Sequence, residues 1–126
     1  MTDEDSAPVI LAVDRNQRNL ELLSQFLKQQ GYQVLAKISL EEVGEVTSIP
    51  STIKLALIDI SGFDASVWGL CQRLREQGIP FLVISPRQYA AIQQASIAHG
   101  ALGLLNKPLM MREFLQLIRD LLKGSE

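Results

Sequence analysis

Short runs rich in Val, Ile and Leu alternate along this chain with longer segments of helical period, and that alternation is what most restricts how it can fold. The runs are Val9 to Val13, Gln33 to Lys37, Lys54 to Ile58, Phe81 to Ile84 and Leu102 to Leu105. The first run is apolar on both faces, as a central strand covered by helices above and below would be. After it, Leu20, Leu23 and Leu27 recur at three and four residues, and Gly31 ends the helix they define. Ser39 and Glu42 have capping-box spacing, so a second, weakly apolar helix is expected to begin there and fade near Ile49-Pro50. A third uses Val67, Leu70, Cys71 and Leu74 before Gly78 and Pro80 break it. A fourth is expected from Gln88 to His99, burying Ala91, Ala95 and Ala98 and stopping at Gly100, and a fifth carries Phe114, Leu117, Ile118 and Leu121 along one side.

Repeated β-α units of this kind predict an α/β fold, a flavodoxin-like (βα)5 three-layer sandwich. Right-handed crossovers from a central first strand favour a parallel five-stranded sheet of order 2-1-3-4-5. Residues 8–123 are expected to form this one domain, preceded by a disordered acidic stretch over 1–7 and leaving no room for a separate output domain. With 47% hydrophobic and 21% charged residues and a formal charge of -2, the chain lacks the basic footprint that direct nucleic-acid binding requires. No apolar run approaches the roughly 18 residues of a membrane span, and the acidic start is unlike a signal peptide, so a cytoplasmic location is expected. The single cysteine, Cys71, reads as a small core residue between Leu70 and Leu74.

Ligands of such sheets bind at the carboxyl edge of the strands, and the residues met there are informative. The runs stop at Asp14, at Asp59, at Ser85, and one residue before Lys107-Pro108. Two acids, a hydroxyl and an ammonium gathered at one edge outline a phosphoryl-accepting site. Asp59, ending the most central strand, is the candidate acceptor; Lys107 offsets the charge of the arriving oxygens; Ser85 donates its hydroxyl to them; Pro108 fixes the turn, through a cis bond if it takes that form. His99, the only histidine, reads as a helix-end residue, and no Cys/His cluster offers a zinc site, so the chain is not expected to be an enzyme. Trp68 and Phe63 read as sheet packing or as a patch for a partner.

These residues carry a resemblance that runs from Pro8 to Leu122. VILAVD with Asn16 and Asn19-Leu20, LALIDI, IPFLVIS and GALGLLNKP resemble the successive signatures of the receiver domain of bacterial response regulators. The resemblance implies a module of a two-component phosphorelay. It would take phosphoryl on Asp59 from a histidine kinase or phosphotransfer protein and act on an effector or output domain through helix four, strand five and helix five. It also implies Mg²⁺ held by Asp14, Asp59 and Ser61.

The sequence departs from that pattern in three places. Receivers usually carry two adjacent acids after strand one; here Arg15 follows Asp14. The stretch after Asp59 is Ile60 to Val67 without the usual Met-Pro, and Leu104 stands where many receivers place a switch aromatic. At about 4 Å and an effective dielectric near 20, one pair of unit charges is worth roughly 4 kcal/mol. Even that much, lost beside a divalent ion, is roughly a thousandfold in affinity. Mg²⁺ binding is therefore expected to be weak, with Arg15 a candidate to pair with Asp59 or Asp14 instead.

The favoured expectation is an atypical receiver acting mainly by protein contact, with phosphorylation of Asp59 slow or absent. The first alternative is a fully phospho-accepting receiver. The second, of another class, is a small-molecule-binding domain on the same sheet order; DRNQRN after strand one has no glycine-rich phosphate loop. Leu115 and Leu122 lie off the last helix's main stripe and suggest a homodimer through helices four and five.

Overall fold

The computed structural model describes residues 8–39, 53–61, 63, 65–86 and 90–124. Its strands are β1 (Val9–Val13), β2 (Gln33–Lys37), β3 (Ile53–Asp59), β4 (Phe81–Ser85) and β5 (Gly103–Asn106), and its helices α1 (Gln17–Gln29), α2 (Val67–Glu76), α3 (Ala90–Ala98) and α4 (Met111–Gly124). The strands form one parallel sheet of order β2-β1-β3-β4-β5, the flavodoxin-like arrangement that the sequence predicts. The expected helix beginning at Ser39 and the expected disordered stretch over 1–7 lie outside the described residues.

Alternation along the strands divides the core into two layers. Leu11, Val13, Ala56, Ile58, Phe81 and Val83 face Val67, Leu70, Cys71 and Leu74 of α2. Their sequence neighbours Ile10, Leu55, Leu57, Leu82 and Ile84 face Leu27 of α1 and Phe114 and Ile118 of α4. The three central strands are thus apolar on both sides, which is why they read as continuous runs in the sequence. Burial of the Cys71 thiol pushes its pKa up to about 12, so it is an inert core group.

Local signals set the ends of the elements. Asn16 caps α1, its side-chain oxygen accepting from the Asn19 amide at 3.0 Å. Gly100 follows α3 with φ +94°, the left-handed conformation that lets the chain turn sharply into β5. The buried side of α3 differs from the expectation. Ala91 and Ala98 are exposed and Ala95 only half-buried, while Ser96 is the buried residue, its hydroxyl donating to the Ile92 carbonyl at 2.8 Å. A serine with its hydroxyl turned back onto its own helix buries little polar surface, so it serves where the alanine pattern was expected to. His99 stacks on Trp68 with ring centroids 5.2 Å apart, joining the end of α3 to α2, and Leu115 and Leu122 are half-buried.

Replacing Gly100 by Ala is expected to lower stability by about 1–2 kcal/mol in a urea titration, because φ is left-handed there. An added Cβ would also meet the Arg75 Cδ at 2.8 Å. Gly78→Ala, with positive φ but nothing within 4 Å, measures the backbone part alone and is expected to cost no more.

Candidate functional site

Sheet register brings the two acids together. β1 and β3 pair Ala12 with Leu57 and Val13 with Ile58, so the next rung is Asp14 beside Asp59. Both continue the side-chain parity of the α1/α4 layer, since Ile10, Leu55 and Leu57 belong to it. Lys107 shares that parity from β5, two residues beyond Leu105, which packs against the same cluster. The Lys107–Pro108 bond is cis, and the Lys107 amide donates to the Ser85 carbonyl at 2.9 Å.

The resulting contacts are short. The Lys107 ammonium lies 2.5 Å from Asp59 Oδ2, and the Ser61 amide donates to Asp59 Oδ1 at 2.9 Å, so both carboxylate oxygens are engaged. The Asn16 amide donates to Asp14 Oδ1 at 2.8 Å. Asp14 and Asp59 are each only 4% exposed and sit side by side at the ends of β1 and β3. Burial raises the Asp14 carboxyl above its ordinary value. The Asn16 amide pulls the other way, the adjacent Asp59 charge raises it further, and the Lys107 charge again lowers it.

The other expected site residues take distinct positions. Ser85 ends β4 at the same edge and is fully buried, but by alternation it has the parity of Phe81 and Val83, which belong to the α2 layer. Leu104 is half-buried against that layer. Arg15 is exposed beside Asp14. The Ser61 hydroxyl is buried and has no hydrogen-bond partner among the described residues.

Among the described residues no group of three or more His, Cys, Asp or Glu comes together as a metal site. Two adjacent buried carboxylates are nonetheless hard oxygen donors of the kind Mg²⁺ takes alongside water. A feature the sequence reading missed adjoins them: a cavity of about 500 Å³ under α1, reached past Leu22 and Met111. The available signal was Leu22, an apolar residue off the buried stripe of α1 and 55% exposed.

Asp14→Asn is expected to be more stable than the parent at pH 7, because it removes a buried like charge while keeping an acceptor for the Asn16 amide. The folded state holds the Asp14 proton to higher pH than the unfolded chain, whose value is near 3.8. Its ionisation therefore costs stability as pH rises above that value through the folded pKa. The advantage of the variant should shrink as thermal melts are taken toward about pH 4.

No protein-family model matches this chain. Solved structures do. A CheY-like response regulator receiver domain protein from Methanospirillum hungatei superposes with TM-score 0.84 at 23% identity, over 94% of this chain and 95% of that one. A two-component response regulator from Clostridium difficile gives TM-score 0.84 at 21% identity, over 94% and 98%. A response regulator protein from Burkholderia pseudomallei, described with a phosphorylated aspartic acid, a calcium ion and citrate, gives 0.77 at 20% identity over 86% of this chain and 64% of that one. The chain has the fold of response-regulator receiver domains.

Proposed function

We propose that residues 8–123 form an atypical receiver domain of a two-component phosphorelay, read mainly through protein contact, with phosphoryl transfer to Asp59 slow or absent. The observation that carries this reading is the pairing of an acceptor-like carboxylate, engaged on one oxygen by Lys107 and on the other by the Ser61 amide, with one neighbouring acid among the described residues. That arrangement offers an aspartate and an ammonium for phosphoryl chemistry, and Arg15 supplies positive charge where a second acid would favour a metal.

Asp14 and Asp59, with Ser61, are the residues that would hold Mg²⁺, and the ion would supply charge to offset the phosphoryl oxygens. An exposed arginine one residue from Asp14 opposes a dication there, although solvent screens part of its effect. The same guanidinium has the reach and fork geometry to bridge Asp14 or Asp59, which would neutralise the acceptor without aligning an incoming phosphoryl group. Ser85 and Leu104 are the residues proposed to respond on the opposite layer. The face of α3, β5 and α4, where Ile97 and Leu102 are 67% and 54% exposed, is the proposed contact for an effector, an output domain or a second copy. The upstream partner would be a histidine kinase or a phosphotransfer protein in the cytoplasm, and the domain itself would be a signalling module, not an enzyme.

A second reading keeps full phosphotransfer, and the direct Lys107–Asp59 contact favours it. Exposure to acetyl phosphate with and without Mg²⁺, followed by intact mass, separates the two. The proposed function expects little or no mass gain in the parent, and a gain of one phosphoryl group in Arg15→Asp. Mg²⁺ affinity should rise by about a hundredfold or more in that variant. A rapid, metal-dependent gain in the parent that disappears in Asp59→Asn would establish the second reading instead.

A further inference from the structure

The cavity under α1 has chemistry of its own. Its apolar walls include Leu22, Leu23, Leu57, Ile84, Leu109 and Met111, and its polar lining is Asp14, Asn19, Asp59 and Lys107. A volume of about 500 Å³ lies within the range of small-molecule sites, roughly 300–1,000 Å³, and apolar walls with a few convergent polar groups are the usual make-up of such sites. Water gains few hydrogen bonds against such walls, so an apolar group that displaces it is favoured. Leu22 and Met111 at the rim are 55% and 38% exposed, leaving apolar surface that folding has not covered.

Charge selects the class of occupant. Among the described residues two buried carboxyl groups meet one ammonium, and that ammonium is already in contact with Asp59 Oδ2. Asp14 accepts a backbone amide on one oxygen and otherwise faces Asp59, a group of its own sign. An incoming anion would meet both acids while Lys107 is engaged, and a neutral group would bring no charge to offset the two carboxyl groups. An ammonium supplies both the charge and the N–H donors that a buried carboxylate takes best.

We propose that this cavity binds a small molecule made of an apolar body and a protonated amine, with the ammonium on Asp14 and the body between α1 and the segment joining β5 to α4. Binding of this kind does not require Asp59 to accept phosphoryl, so it stands or falls separately from the signalling reading. It gives the acid pair a ligand that also fills the space beside it, which a bare metal ion would leave open.

The test uses the full chain and four probes: 4-phenylbutylamine, the isosteric 4-phenylbutanol and 4-phenylbutanoate, and ethylamine. Methyl and amide NMR titrations at pH 7 without Mg²⁺ are expected to show saturable shifts at Leu22, Leu23, Leu109, Met111 and Asn16 with 4-phenylbutylamine. The alcohol and ethylamine should bind about tenfold more weakly or worse, each lacking one half of the recognition, and the carboxylate should not bind. Asp14→Asn, a near-isosteric change whose fold is checked by its amide spectrum, should lower amine affinity about tenfold while leaving the alcohol unchanged. Equal binding of amine and alcohol, an unchanged amine affinity in Asp14→Asn, shifts confined to another part of the surface, or no binding by any probe would each overturn the proposal.

Discussion

The register between β1 and β3 is the constraint on which the rest of this structure depends. Val13 pairs with Ile58, and the rung that follows sets Asp14 beside Asp59. A slip of β3 by one residue would carry Leu55 and Leu57 from the α1/α4 layer to the α2 layer, and would take Asp59 away from Asp14. Burial on both faces makes such a slip costly, because each central strand fills two packed layers at once. Strong apolar packing therefore holds the polar edge in place.

What it holds there is unfavourable by itself. Asp14 and Asp59 are buried side by side, and among the described residues one ammonium serves both. That ammonium comes from the far side of the sheet, since β4 lies between β3 and β5. Backbone bonds from Leu102 to the Phe81 carbonyl at 2.8 Å and from Lys107 to the Ser85 carbonyl at 2.9 Å fix the two ends of β5. Only with β5 docked does Lys107 reach Asp59, so the charge balance of the site reports the position of an edge strand. The face proposed for output contains that same strand, which gives a direct physical route from the acids to the surface.

The α1 side of the edge adds a second character. Leu22 and Met111 frame an apolar cavity against the acid pair, so a single edge presents both a charge that asks for a cation and a surface that asks for an apolar group. Ser85 and Leu104 belong with the opposite layer. The carboxyl edge is thus two-sided, with the acids, Lys107 and the cavity facing α1 and α4, and the remaining switch candidates facing α2 and α3.

Much of this was legible in the residues. Val9–Val13 and Gln33–Lys37 have the bounds that the apolar runs indicate, β4 runs one residue further at its carboxyl end, and β3 and β5 differ from expectation by one residue at each end. Strand runs and glycine stops are local signals, so local sequence suffices for them. The pattern of Asp14, Asp59, Ser85 and Lys107 at successive strand ends likewise followed from strand length alone. The buried side of α3 did not, because alanines at helical spacing fit a buried or an exposed face equally well, and Ser96 could serve only once its hydroxyl had turned back to Ile92.

By itself, then, the sequence determined the strands, the described helices, their order and which polar residues end the strands, since these depend on near neighbours and on the two faces of each run. Tertiary structure alone decided that Asp14 meets Asp59, that Lys107 spans β4 to reach it, and that a cavity opens beneath Leu22. Those outcomes depend on register and on the gap between α1 and the segment after β5, distances between parts of the chain far apart in sequence that no local pattern encodes.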